Sequence, residues 1–262
     1  MRVETLGDGE PEIAVVGGIH GDEPAGVRAV EGLMEERPAV AEPVKLVIAN
    51  EEAIERGERY VEADLNRSFP GRADGQSHEV RLAHALGREV SGCLTLALHT
   101  TQSYGGMFAL VDEVRDLARR ICPRLSVDAV VETGHAEGRI FEVAPDTVEV
   151  ECGYQKSEQA ARNAGQVARE FLAAAGALPD EETPHQTELP VFRLGDPVPK
   201  TAAQEYEVFV DNFEEVLAGE RVAAADGEVV FADEDFHPVL LSAYGYEDVF
   251  GYMAQQVGTL SG

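Results

Sequence analysis

The stretch "GGIHGDEPAG" (residues 17–26) sets His20 and Glu23 three residues apart on a glycine-rich turn, between an apolar run and a helical pattern. A glycine turn opening a helix often takes phosphate on its backbone amides. A dinucleotide site, however, needs GxGxxG, and here Asp22 and Glu23 stand where phosphate charges would have to go. HxxE spacing suits a cation, because an imidazole and a carboxylate can converge on one ion from a turn. Zinc hydrolases commonly use two histidines and one glutamate, with the fourth position left for water. A distant histidine is therefore required, and His99 fits: it follows the apolar "LTLAL" and opens the polar "HTTQSYGG", much as His20 follows "IAVVGG". His78 and His84 lie six residues apart on one helical pattern and point about 120° away from each other, so they are read as surface or core residues. Pro24 suits the first helical position, which gives Glu23 an alternative role as a helix N-cap; His20 has no such alternative.

Two more groups bear on the chemistry. "ERYVEADLNRSFPG" (58–71) gathers Arg59, Asn66 and Arg67 in one polar loop of a chain that has only 21 basic residues. Guanidinium groups beside an amide are suited to hold a carboxylate, although a surface ion pair would explain any single arginine. "TVEVECGYQ" places Glu151 at a strand end, where an acid is not needed for packing and can act as general base toward water. Glu149 alternates to the same face, further from the strand end.

The elements that must position these residues follow from periodicity. "EIAVVGG", "VKLVIAN" (44–50), "LTLALHT" (94–100), "GMFALV" (106–111), "VDAVVE" (127–132) and "TVEVE" (147–151) read as strands. Helical patterns lie at 24–36, near 76–90, at 112–121 and at 156–175, and this alternation predicts an α/β fold with a mostly parallel or mixed sheet covered on both faces. A turn at Pro145 and Asp146 allows two neighbours to run antiparallel. The proline- and acid-rich "ALPDEETPHQTELP" (177–190) reads as a linker between a catalytic domain (1–176) and a small β-rich domain (191–262) of short segments divided by glycine and aspartate turns.

Composition narrows the setting. With 49 acids against 21 bases the formal charge is −28, which excludes a general basic surface for nucleic acid. No apolar run approaches the roughly 20 residues of a membrane span, and "MRVETLGDGEPE" lacks the apolar core of a secretory signal, so a soluble, cytoplasmic protein is expected. Cys93, Cys122 and Cys152 are odd in number and widely spaced, as expected of reduced thiols.

Taken in order and spacing, "GGIHGDEPAG", "RYVEADLNR", "LHTT" and "VECG", with "DGEVV" and "HPVLLSAYGYE" near the C-terminus, resemble the succinylglutamate desuccinylase/aspartoacylase family of the zinc carboxypeptidase group. The resemblance implies a carboxypeptidase-like fold with one zinc ion per chain on His20, Glu23 and His99, and Glu151 as the base that activates water. It further implies that Arg59 polarises the scissile carbonyl, that Asn66 and Arg67 bind the amino-acid carboxylate, and that Tyr244 is a substrate-contacting tyrosine donated by the second domain. Arg139 is the candidate for reading an acyl-side carboxylate, at an offset from Glu151 that departs from the family's. Ala97 stands where the family usually has an acid, two residues before the third ligand.

The reading is a zinc-dependent hydrolase of N-acyl amino acids, with a small-molecule partner and homo-oligomerisation left open. A zinc carboxypeptidase would share these residues and differ in the size of its crevice, while a non-catalytic zinc module would have no need of Glu151. Acids spread along the whole chain suggest a halophilic host, because at 1 M salt the Debye length falls to about 3 Å and crowded carboxylates no longer repel. The melting temperature is accordingly expected to rise from low to molar salt; a flat or falling dependence in a thermal scan would refute this.

Overall fold

The computed structural model describes residues 1–135, 137–179 and 184–262. The N-terminal part runs β1 (Arg2–Leu6), β2 (Ile13–Gly17), α1 (Pro24–Glu36), β3 (Val44–Ile48), α2 (Glu51–Arg56), α3 (His78–Val90), β4 (Leu94–Thr101), β5 (Phe108–Val111), α4 (Asp116–Ile121), β6 (Ala129–Glu132), β7 (Thr147–Tyr154) and α5 (Glu158–Ala174). Strands follow: β8 (Leu189–Pro199), β9 (Tyr206–Val208), β10 (Arg221–Ala225), β11 (Glu228–Phe231), β12 (His237–Val239) and β13 (Val249–Leu260). Ten strands form one sheet in the order β1-β3-β2-β4-β7-β5-β6-β8-β13-β12, and β11-β10-β9 form a second, small one.

The central strands are buried on both faces, as apolar runs such as "IAVVG" require. Val30 and Leu33 of α1 and Val167 and Phe171 of α5 cover one face, and Leu82, Ala83 and Leu86 of α3 cover the other. β2, β4 and β7 are parallel neighbours, whereas β5 runs antiparallel to β7. The carboxyl ends of these three strands therefore open on one side, where sites in parallel sheets lie. Two strands run further than the sequence pattern predicts. β4 continues through His99 to Thr101 and β7 through Glu151 to Tyr154, so both residues lie inside the ladder, directly paired in register. β1 gives no apolar signal because it is a largely exposed edge strand, and α2 is too short to show periodicity.

Close backbone approach sets the first turn. A Cβ on Gly17 would run into the carbonyl of Gly26, and one on Gly21 into the carbonyl of Ala53. Glycine at these places lets the start of α1 lie against the sheet and lets the His20 turn lie against α2. Of the linker expected at 177–190, residues 180–183 lie outside the described residues. β8 begins at Leu189, inside that expected linker, and pairs parallel with β6, Val130 opposite Val191, so the large sheet continues into the C-terminal strands.

The polar loop of Arg59, Asn66 and Arg67 is held from below by Glu79 in the first turn of α3. This buried carboxylate accepts from the backbone N–H of Val61 (2.7 Å), Glu62 (3.1 Å) and Ala63 (3.1 Å), and from Asn50 Nδ2 (3.1 Å). Burial alone would raise its pKa, but the N–H of Val61 and the other donors outweigh it and hold the carboxyl below its ordinary value. The stability this contributes is complete above the unfolded carboxyl value of about 4.3 and is lost as pH falls toward the lower folded value. Glu79→Gln is expected to cost about 1–3 kcal/mol at pH 7. The gap to wild type should narrow below about pH 4 in denaturant titrations.

Candidate active site

Glu23 is the N-cap residue of α1, yet its side chain makes no capping hydrogen bond. The carboxylate turns into the sheet instead. Oε1 lies 2.7 Å from His20 Nδ1 and accepts from Arg59 Nη1 at 3.2 Å; Oε2 lies 3.2 Å from His99 Nδ1 and accepts from the Thr100 N–H at 2.9 Å. The two imidazole rings are 5.1 Å apart, and all three side chains are buried. Ligand atoms of His20, Glu23 and His99 lie within 4.8 Å of one another, a cluster able to hold a metal ion.

The donor set fits a zinc ion of the hydrolytic type: two imidazole nitrogens and one carboxylate. Each imidazole also has an acid behind it. His20 Nε2 lies 3.1 Å from Asp64 Oδ1, a contact that leaves Nδ1 free to act as ligand, and His99 Nε2 lies 3.6 Å from Glu149 Oε1. The register explains how position 97 can be alanine, since Ala97 is the cross-strand partner of Glu149, which brings the carboxylate in from the neighbouring strand. Electrostatics favour positive charge here. Burial alone would lower both histidines, but Glu149 and Glu23 raise His99 to about 10, and Glu23 and Asp64 raise His20. For Glu23 the two imidazoles outweigh burial and hold the carboxyl well below the usual range.

A cavity of about 120 Å³ adjoins this cluster. Its sheet side carries His20, His99, Glu149 and Glu151 with Arg59, Asn66, Arg67 and Arg139, and its other wall is Leu194, Leu240, Tyr246 and Tyr252 from the C-terminal strands and loops. Burial, followed by the charge of Glu23, pushes Glu151 up to about 7, and its Oε2 is buried without a hydrogen-bond partner. Asn66 donates from Nδ2 to Glu149 Oε1 (2.7 Å) and accepts the Ile140 N–H on Oδ1 (3.1 Å). Arg139 forms an ion pair with Glu149.

The structure thus brings together all of the residues singled out from sequence except Tyr244. That side chain is 63% exposed and does not line the cavity; its ring meets Tyr206 edge-on, and its hydroxyl accepts the Tyr206 N–H at 3.4 Å. Tyr246, two residues on, lines the cavity instead, together with Tyr252. Lys200 holds this segment by donating to the carbonyls of Ala243 (2.9 Å) and Tyr246 (2.7 Å). Burial, with the nearby charge of Glu151, raises the Tyr246 phenol, which keeps it protonated. Asp64, Glu79 and Tyr246 were not visible as site residues. "EADLNR" and "AYGYE" put two of them inside the matching motifs, but their partners lie far away in the chain.

A profile of the succinylglutamate desuccinylase/aspartoacylase catalytic domain matches residues 9–175. The chain belongs to this family. Relatives include the succinylglutamate desuccinylase of Pseudomonas aeruginosa, 36% identical over 104 residues (33% of this chain, 31% of that protein). Another is the aspartoacylase of Xenopus tropicalis, 32% identical over 120 residues (40% and 38%). The chain spans about a third of the length of the curated relatives it matches first. The fold is shared with murine aminoacylase 3 (TM-score 0.77, 21% identity, 95% of this chain and 97% of that one). It is also shared with the product-bound ectoine utilization protein EutE (DoeB) from Ruegeria pomeroyi (TM-score 0.77, 20% identity, 97% and 87%).

For this member of the desuccinylase/aspartoacylase family the site geometry makes a direct prediction. Purified protein is expected to bind about one divalent metal ion per chain, and His99→Ala to lose it, by elemental analysis after dialysis. Full occupancy in the variant would remove His99 from the ligand set.

Proposed function

We propose that this chain is a zinc-dependent amidohydrolase that splits an N-acyl amino acid into a carboxylic acid and an amino acid. The observation that carries the reading is the small cavity: Glu151, whose Oε2 is buried and partner-free, lines it together with His20, His99 and three arginines, beside the His20–Glu23–His99 cluster. About 120 Å³ is roughly four water volumes, well below the 300 Å³ or more of a drug-sized pocket. Leu194, Leu240, Tyr246 and Tyr252 wall the side along which a peptide would have to run, which favours a small acid over a carboxypeptidase substrate.

His20, Glu23 and His99 would hold the zinc, which when bound supplies Lewis acidity and eases the removal of a proton from water. The protein's own groups carry the remaining roles. Glu151, whose carboxyl burial makes more basic, takes the proton from water as the water oxygen bonds to the acyl carbon, and returns it to the amine nitrogen as the carbon–nitrogen bond breaks. Arg59, fixed by Glu23 and by Asp64 (Nε to Oδ2, 3.1 Å), donates to the carbonyl oxygen as negative charge grows there. Arg67, beside Asn66, holds the amino-acid carboxylate. Tyr246 and the two leucines exclude bulk water, which strengthens each of these interactions.

Glu151→Gln is expected to keep fold and metal while turnover on N-acyl amino acids falls by roughly 10² or more, measured by amine release. Loss of metal in that variant would make Glu151 a ligand. Hydrolysis of short peptides in preference to N-acyl amino acids would overturn the deacylase reading.

A further inference from the structure

Three arginines face the cavity, but their charges are committed differently. Arg59 pairs with Glu23 and Asp64. Arg139 pairs through Nη2 with Glu149, which is only 1% exposed and is bonded on its other oxygen to Asn66. Arg67 donates to the carbonyl of Asn66 at 2.7 Å and makes no ion pair among the described residues. Among the described residues the cavity therefore offers one arginine without an ion pair. Resting on the deacylase reading, we infer that Glu149 determines specificity: by neutralising Arg139 it limits the cavity to substrates with a single carboxylate, N-acyl amino acids that carry no further carboxylate on the acyl group or the side chain.

Charge in a confined space decides which substrates fit. Arg67 serves the carboxylate that every N-acyl amino acid carries. A second carboxylate would enter beside Glu149 and Glu151 with no free cation to meet it, and stripping water from an unpaired carboxylate is strongly unfavourable. Arg139 does keep one donor, since its buried Nε has no hydrogen-bond partner. An uncharged group, such as an amide, can lie beside the Arg139–Glu149 pair without adding charge. Competition for Arg139 also favours Glu149, which is already desolvated and is held by Asn66, whereas a substrate carboxylate would first have to leave water.

The test uses an isosteric pair, N-acetyl-L-asparagine and N-acetyl-L-aspartate, which differ in charge and hardly in size. Wild type is expected to favour the asparagine substrate in kcat/KM by about tenfold or more. Glu149→Gln, which frees the Arg139 charge, is expected to shift that ratio toward aspartate by about tenfold or more, and the double variant Glu149→Gln/Arg139→Gln to restore the wild-type preference. A merely structural role for Glu149 would lower both substrates alike and leave the ratio unmoved, which would overturn the inference. A wild-type preference for aspartate, an arm that needs no variant, or a shift that persists in the double variant would overturn it too. If wild type hydrolyses neither substrate nor any other N-acyl amino acid, the deacylase reading fails. The charge inference is then decided by calorimetric titration with L-asparagine and L-aspartate, in which the same ordering supports it and the reverse refutes it.

Discussion

The site depends on one carboxylate being shared. Glu23 lies at the start of a helix, yet its oxygens are spent on His20, His99, Arg59 and the Thr100 backbone, which belong to three separate stretches of chain. The turn after β2, the end of β4 and the polar loop before α3 all meet at this carboxylate. A side chain turned outward to cap α1 would leave two buried imidazoles and a guanidinium without their common acceptor, at a cost well beyond that of a lost cap. The helix can forgo the cap because Pro24 occupies its first turn, where one N–H is absent by chemistry and φ is already set.

Around this centre the parallel sheet supplies direction and the C-terminal strands supply closure. Parallel pairing of β2, β4 and β7 sends three carboxyl ends to one side, and the His99–Glu151 register puts a ligand candidate and a base candidate on adjacent strands. β8 and β13 extend the same sheet, so the wall formed by Leu194 and Tyr252 is tied to the floor through continuous hydrogen bonding. Asn212 adds a direct tie: it donates to Ser103 O (2.9 Å) in the loop after β4 and exchanges hydrogen bonds with Leu241. Leu240, next to that tie, takes φ 56°, a conformation that costs a branched residue about 1–3 kcal/mol and persists because its neighbours fix the backbone.

What could be read from the sequence was what depends on residue type at short range. His20 and Glu23 are three residues apart, His99 and Glu151 close apolar runs, and strand and helix periods located the sheet, so the fold and the cluster were both legible. Glu79, Asp64 and Glu149 were not legible as positioning residues, because their roles depend on partners up to 83 residues away and acids are common throughout this chain. Tyr244 and Tyr246 share one loop and one alternation, and only the Lys200 contacts and the packing of Tyr206 decide which of them is turned inward. β1 and α2 escaped notice for the plainer reason that an exposed edge strand and a six-residue helix carry too little apolar pattern.

The contrast between surface and site carries the last step. A net charge of −28 sets up a field that repels any anionic substrate at a distance, and salt screens that field over about 8 Å at physiological ionic strength. Inside the cavity the balance reverses, since Arg59, Arg67 and Arg139 stand among His20, His99 and a few carboxylates in a confined space. Interactions there are screened far less than those on the surface. Surface charge can therefore be raised or screened with little effect on the chemistry, while a single buried change at Glu23 or Glu149 alters the charge of the site itself. On the proposed deacylase reading, attraction for the substrate comes from short-range pairing once it has entered, so that the arginines left without an ion pair, rather than the overall field, would select it.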